Sequence, residues 1–251
     1  VPPSVAPPPP RMKKNQTSVV DGDPHRLSFV TPDMSLPEGG LNIRLVDTPV
    51  AQEARMIDHK RFAAEAFSRA NRMDQRKWGK AGARIGFVAA GKNWLDLVHA
   101  LALLGIDEAE AERLGITTYK VGQVWPLDMA SFHEWADGLD LIVVVEEKRK
   151  LIEVQVKEAL FDDRHGRRVY GWHKGDEHSE GRREEVFPTR YALDPIWIAE
   201  KLGGILTEEG CGSAGVTAGL AQLAEARRAD NVRGVCGAEG GESPVMFTPH
   251  L

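Results

Sequence analysis

An α/β fold with a mainly parallel open sheet and flanking helices is predicted by three observations. The first is a recurring buried-strand pattern: RIGFVAA at 84–90, ITTYKVGQV at 116–124 and LIVVV at 141–145. The second is that helical patterns separate these runs and follow the last one. Strands alternating with helices imply parallel pairing through right-handed crossovers. The third is the junction LDLIVVVEEKRKLIEVQVKEAL at 139–160, where an apolar run ends in Glu146–Glu147 and Lys148, Arg149 and Lys150 open a helical pattern. Carboxyl ends of strands in open α/β sheets are where ligands and partner domains sit. Three cations near a helix start oppose the helix dipole, and local rules tend to break at working surfaces.

In chain order, VPPSVAPPPP opens a segment, 1–18, that reads as a disordered Pro-rich tail. The start at Val1 in such a tail predicts a chain that does not begin at a domain boundary. Arg26–Val30 is a short strand pattern stopped by Pro32, and Pro37, Gly39 and Gly40 mark a loop. From Pro49 to Met73, Met56, Ala63, Phe67 and Ala70 fall at helical spacing, so 49–81 reads as a linker helix followed by a polar loop.

The α/β domain is expected over 82–206. After the strand at 84–90, Gly91–Lys92 makes a turn and Asn93 is expected as N-cap of a helix from Trp94 to Leu104. That helix carries Leu95, Val98 and Ala102 on one face, widened by Leu97, Leu101 and Leu104. Asp107–Leu114 and Met129–Ala136 read as short helices. Lys148–Leu160 is the helix after the third strand, with Ile152, Val156, Ala159 and Leu160 inward and Glu153–Lys157 as a favourable pair one turn apart. The charged, glycine-rich stretch 162–185, interrupted by Val169–Tyr170–Gly171–Trp172, reads as a loop or short edge hairpin. Asp194 and Pro195 cap and start a last core helix, closed at Gly203–Gly204. Beyond it, 207–251 is Gly- and Ala-rich and is expected to be flexible, with helix only around Leu220–Arg228.

Composition bounds the function. Hydrophobic residues make up 42% and charged residues 27% of 251, enough for a sizeable core. A net charge of −5 argues against nucleic acid as a partner. Cys211 and Cys236 are the only cysteines, too few and too far apart for an iron–sulfur or zinc site. They read as reduced thiols of a cytoplasmic protein. No apolar run approaches the ~20 residues of a membrane span, so no membrane association is expected.

Candidate chemistry is sparse. Gly86–Asn93 nearly matches a phosphate-binding G-x-x-x-x-G-K-[ST] loop. The four middle residues, Phe87, Val88, Ala89 and Ala90, read instead as strand, and Asn93 replaces the Mg²⁺-binding hydroxyl. Lys92 then lies near the carboxyl edge of the sheet, where it could meet an anion or another subunit. Glu146 and Glu147 could work as an acid/base pair, but neighbours in a strand point to opposite faces. Lys92, Asn93, Glu146, Glu147, Lys148 and Arg149 therefore form a candidate polar contact site with no assignable catalytic residue. His165, His173 and His178 match no metal spacing and read as solvated. Trp94, Trp125, Trp135, Trp172 and Trp197 read as core or interface fillers.

Four segments in order carry a family resemblance: GLNIR at 40–44, GKNWLD at 91–96, KVGQVWPL at 120–127 and VVEEKR at 144–149. Over about 21–206 the chain resembles indolepyruvate ferredoxin oxidoreductases of the 2-oxoacid:ferredoxin oxidoreductase family. The resemblance implies part of an enzyme that oxidatively decarboxylates arylpyruvates to acyl-CoA with thiamine diphosphate and [4Fe–4S] clusters. It implies that 19–48 ends a pyrimidine-binding domain and that the α/β domain is transketolase C-terminal-like. The implied partners are the remaining domains or subunits of the oxidoreductase, ferredoxin for the whole enzyme, and further copies in a homo-oligomer. The glutamate that activates the cofactor would lie upstream, and a cysteine-rich segment beyond Leu251. The isolated chain is accordingly expected to hold no cofactor and to be inactive, with a role in structure and domain contact. Two other readings stay open: an independent anion- or nucleotide-binding α/β module, and a truncated product without activity.

Overall fold

In the computed structural model, the described residues are 17–19, 28–163, 165–174, 184–188 and 190–237. Residues 1–16 of the tail predicted over 1–18, residues 238–251 and His178 lie outside them, while Thr17 and Ser18 belong to a strand and not to a disordered tail.

The central sheet has five strands: β3 (Gln75–Arg76), β4 (Ile85–Ala90), β5 (Ile116–Val121), β6 (Leu141–Val145) and β7 (Arg168–Tyr170). Their spatial order is β3-β5-β4-β6-β7. β5, β4, β6 and β7 are parallel, and β3 closes one edge antiparallel to β5. The predicted mainly parallel open sheet is thus present. β7 is a correction, because Arg168–Tyr170 reads as loop or hairpin by sequence. Its short polar run becomes a strand only because the edge of β6 offers unpaired backbone groups. The expected hairpin lies just after it, as β8 (His173–Lys174) against β9 (Glu184–Glu185). β1 (Thr17–Val19) and β2 (Ser28–Val30) pair separately at the start of the chain.

Strand alternation divides the core into two layers. Ile85, Phe87 and Ala89 of β4 and Leu141, Val143 and Val145 of β6 face one side. They are covered by α3 (Gly91–Leu103), α4 (Glu108–Arg113), α7 (Pro195–Glu208) and α8 (Ala214–Gly237). Val88, Tyr119, Val121, Ile142 and Val144 face the other side, under α5 (Met129–Ala136) and α6 (Ile152–Ala159). Gly86 allows this second layer to close. A Cβ there would stand 2.5 Å from the Trp135 ring and 2.7 Å from Leu139.

Several boundaries differ from the sequence reading. α3 begins at Gly91, with Ala90 at the cap position and no side-chain cap, so Asn93 lies in the first turn and is not the N-cap. Gly91 makes this early start feasible, since its φ is +52°. The buried face of α3 is Trp94, Leu97, Ala100 and Leu101, while Leu95 is exposed. Apolar residues occupy more than one face of the helix, so its packing on β4, β6 and α7 decides which stripe is inside. α6 starts at Ile152, and Lys148–Lys150 belong to the preceding loop.

Within the segment 207–251 expected to be flexible, the described residues, which end at 237, are instead largely helical. α7 runs through Gly203–Gly204 to Glu208, and α8 follows it. The glycines that suggested flexibility permit close approach. A Cβ at Gly219 would meet the Leu103 carbonyl oxygen at 2.4 Å, and one at Gly203 would meet Leu220 at 2.7 Å. Val216 and Leu223 of α8 close the core.

The linker helix is real but not uniform. α1 (Pro49–Arg55) is capped by Thr48 Oγ1, which accepts from the Ala51 N–H at 3.2 Å. A π-helical stretch, Met56–Lys60, leads into α2 (Arg61–Ala70). Asn71 ties its end to Val30, with one backbone-to-side-chain bond of 2.7 Å and one return bond of 2.8 Å.

Candidate functional site

The chain passes from β4 to β5 on one side, then crosses back past β4 to β6 on the other. α3, which follows β4, covers one face of the sheet, and α6, which follows β6, covers the opposite face. The carboxyl ends of β4 and β6 therefore flank the topological switch point, where open α/β sheets place ligands. Lys92, Asn93 and Glu146–Arg149 all lie here, yet the structure does not join them into one site.

Glu146 and Glu147 diverge. Glu146 is buried and turns to the N-terminus of α6. Its Oε1 accepts from the Leu151 and Ile152 N–H groups at 3.0 and 2.8 Å, and its Oε2 from Ile152 and Glu153 at 3.0 and 3.2 Å. A helix start leaves its first N–H groups without intrahelical partners, and this carboxylate satisfies them from outside the helix. Burial pushes the Glu146 carboxyl above the ordinary carboxylate range, against the opposing pull of those N–H donors.

Glu147 turns to the other face and meets Lys92 across one residue, Leu193. Its Oε2 accepts from the Leu193 N–H at 2.9 Å, and Lys92 Nζ donates to the Leu193 carbonyl at 2.8 Å. Lys92 also pairs with Asp96 at 2.5 Å, one turn along α3. Leu193 itself is buried against the α3 layer. The segment just before α7 thus plugs the switch point, with both backbone polar groups of Leu193 held by two of the predicted residues.

The remaining predicted residues are less engaged. Asn93 is buried, and its Oδ1 has no hydrogen-bond partner. Lys148 holds a left-handed φ of +67° and pairs with its own neighbour Glu147 at 3.3 Å. For a non-glycine residue that conformation costs about 1–2 kcal/mol. Arg149 is exposed and has no ion pair among the described residues.

A second polar centre lies at the end of β5, and the sequence reading missed it. Asp74 Oδ1 accepts from the Gly122 and Gln123 N–H groups at 2.8 and 2.9 Å. Gln155 of α6 donates to the Val124 and Leu151 carbonyls, both at 2.8 Å, and accepts from the Leu127 N–H at 2.8 Å. Asp128 is fully buried and receives Arg69 Nη2 at 2.6 Å and the Ser131 hydroxyl at 2.5 Å. Burial raises the Asp74 carboxyl above its ordinary value. Burial, with the charges of Asp74 and Asp128, raises the Tyr119 hydroxyl far above its own. No spacing rule flags Asp74 or Gln155, which sit in polar runs and find their partners only in three dimensions. Glu153 and Lys157 do pair, at 2.6 Å, but Glu153 is buried and also accepts from the Trp172 N–H at 3.0 Å.

Residues 75–230, more than half of the chain, match the family described as Indolepyruvate oxidoreductase domain. The chain belongs to that family. Among curated proteins, indolepyruvate oxidoreductase subunit IorA of Thermococcus kodakarensis is 30% identical over 84 residues, which is 34% of this chain and 12% of that protein. IorA of Pyrococcus horikoshii is 29% identical over 93 residues, 37% of this chain and 13% of that protein. The stretch shared with these curated relatives is thus a small part of their length. By structure, the chain is similar to a split-gene transketolase described as an inactive beta4 tetramer, with TM-score 0.34, 17% identity and coverage of 53% of this chain and 41% of that one. It is also similar to a 2-oxoglutarate:ferredoxin oxidoreductase from Magnetococcus marinus, with TM-score 0.38, 14% identity and coverage of 62% and 23%. These two likenesses are too low to bear on fold or function, and the architecture rests on the sheet itself.

The cysteines of this indolepyruvate oxidoreductase domain do not fit an iron–sulfur cluster of the kind that the resemblance implies for a whole enzyme. Two cysteines fall short of the four thiolates that hold an iron–sulfur cluster. The buried carboxylates near the switch point are already used: Glu146 by the α6 N-terminus, Glu153 by Lys157 and Trp172. Among the described residues, no group of His, Cys, Asp and Glu could hold a metal ion. No helix among them is long and apolar enough to cross a membrane.

Proposed function

We propose that this chain is a structural, domain-contact part of an indolepyruvate (2-oxoacid) ferredoxin oxidoreductase, corresponding to its transketolase C-terminal-like domain. Family membership over 75–230 supports the enzyme class. The observation that carries the structural role is the filled switch point. Where α/β domains commonly admit a ligand, this one places Leu193, held by Lys92 and Glu147. The neighbouring helix N-terminus, the other natural anion site, is filled by Glu146. Thiamine diphosphate, [4Fe–4S] clusters, ferredoxin and an oligomeric assembly belong to the whole enzyme in this reading. The chain contributes a rigid scaffold at the carboxyl edge of its sheet.

The competing reading is an independent anion- or nucleotide-binding module. Titration calorimetry of the purified chain with ATP and with thiamine diphosphate separates the two. The structural role expects no heat, no thermal shift and no arylpyruvate oxidation by the chain alone. Saturable binding that disappears in Lys92→Met would establish the module instead, and turnover by the isolated chain would refute the structural role.

A further inference from the structure

We infer that the start of α3 is a binding site for inorganic hydrogenphosphate, held between the first backbone N–H groups of the helix and the buried amide of Asn93. The site lies beside the crevice that Leu193 closes, and it goes beyond the structural role proposed above.

Three features meet at this helix start. α3 is 13 residues long, and its cap position is Ala90, which offers no side-chain acceptor. The first N–H groups of a helix have no intrahelical acceptor, and the helix dipole adds positive potential there. Asn93 is only 9% exposed, and its Oδ1 has no hydrogen-bond partner. Asn93 sits in the first turn, where helical side chains lean back toward the N-terminus, so its amide is directed at the helix start. A buried polar atom without a partner is costly and calls for a group that satisfies it. There is also room for one. Gly91 is exposed, and a Cβ built on it would meet nothing within 4 Å.

The unpaired groups select the ligand. The N–H groups need an acceptor, and Asn93 Oδ1 needs a donor. Inorganic hydrogenphosphate carries both at neutral pH, because it keeps one P–O–H beside its charged oxygens. Sulfate and carboxylates offer acceptors only, and a phosphate ester has lost most of its second proton at pH 7. The neighbouring charged side chains are already engaged. Lys92 pairs with Asp96 and donates to the Leu193 carbonyl, while Glu147 pairs with Lys148 and accepts from the Leu193 N–H. Attraction therefore comes from the backbone N–H groups and the dipole, the usual basis of anion binding at a helix start. That suits one small anion at millimolar concentration and not the polyphosphate of a nucleotide.

The test follows the Gly91, Lys92 and Asn93 amide resonances of the isotope-labelled chain while inorganic phosphate is added at neutral pH and constant ionic strength. Saturable shifts are expected. Sulfate and methyl phosphate are expected to bind at least about tenfold more weakly, since each leaves Oδ1 unpaired. Asn93→Leu keeps the side-chain shape. It is expected to lose both the shifts and the phosphate-induced rise in melting temperature, while its melting temperature without phosphate does not fall. Lys92→Met with Asp96→Asn removes the neutral pair as a whole and is expected to retain phosphate binding. Absence of saturable shifts with phosphate, sulfate binding as tight as phosphate, or phosphate binding that survives Asn93→Leu would each overturn the inference and leave the structural role standing. Loss of binding in the Lys92–Asp96 double variant would hand the anion to Lys92 and overturn it in favour of the anion-binding module. If Asn93→Leu does not fold, the comparison of phosphate with sulfate on the wild-type chain decides alone.

Discussion

Glu146 shows how one residue can satisfy a sequence rule and change its meaning. By sequence the cations at 148–150 oppose a helix dipole, because the helical pattern begins at Lys148. The helix begins at Ile152, and the group placed at its positive end is the Glu146 carboxylate. The dipole preference is obeyed. Glu146→Gln keeps the shape but leaves one acceptor oxygen for donors that now share two. It is expected to destabilise the chain by about 1–3 kcal/mol at neutral pH in denaturant unfolding. The pH dependence has a definite sign. Burial raises the folded-state value of Glu146 above its unfolded value, so the native state holds more protons in the window between the two. Stability from this group is fully present below the unfolded value and falls as pH rises through the folded one. Glu146→Gln should therefore flatten the slope of melting temperature against pH across and just above the carboxylate range. An unchanged slope would show that Glu146 does not titrate there.

At the scale of elements, β4, β6, α5 and α6 were legible because their apolar periods are unambiguous. LIVVV is short and β-branched, which favours a doubly buried strand over a helix, and Ile152, Val156 and Leu160 mark one helix face. β7 was not legible, since RVY is too short and too polar to announce a strand without the exposed edge of β6. The packed face of α3 was not legible either, because apolar residues occupy more than one face and the sheet together with α7 selects Leu97 and Leu101 over Leu95. Gly86→Ala tests the packing of the second layer. A methyl group within 2.5 Å of Trp135 forces the ring or strand to shift. Overpacking of this kind is expected to cost about 1–3 kcal/mol, seen as a lower unfolding midpoint with an unchanged denaturant slope. Retained stability would mean that α5 can retreat from the sheet.

Across the whole molecule, the folded unit extends beyond the boundary that the sequence suggested at 206. α8 brings Val216 and Leu223 into the core and lays Gly219 against the end of α3. A chain ending at Ser213 should lose roughly 1.5–3 kcal/mol for each buried aliphatic side chain removed. Protease sensitivity around Gly105 and Gly203 should rise with it. A truncated chain as stable as the parent would return α8 to the status of a tail. The candidate site divides along the same line. Lys92, Glu146 and Glu147 were recognisable as special from charge at a strand end. That Glu147 and Lys92 share Leu193, a partner 46 and 101 residues away in sequence, follows from no local pattern.

The sequence by itself determined the α/β class, the three central strands and the family resemblance. Each depends on side-chain periodicity or on local motifs, which are written directly in residue order. Only the tertiary structure decided which residues close the switch point, why glycines in α8 mean contact and not flexibility, and how Asp74 and Gln155 stiffen an exposed loop. Those outcomes depend on groups distant in sequence that must satisfy one another's hydrogen bonds or fill one another's space once water is excluded, and the order of residues along the chain does not record that proximity.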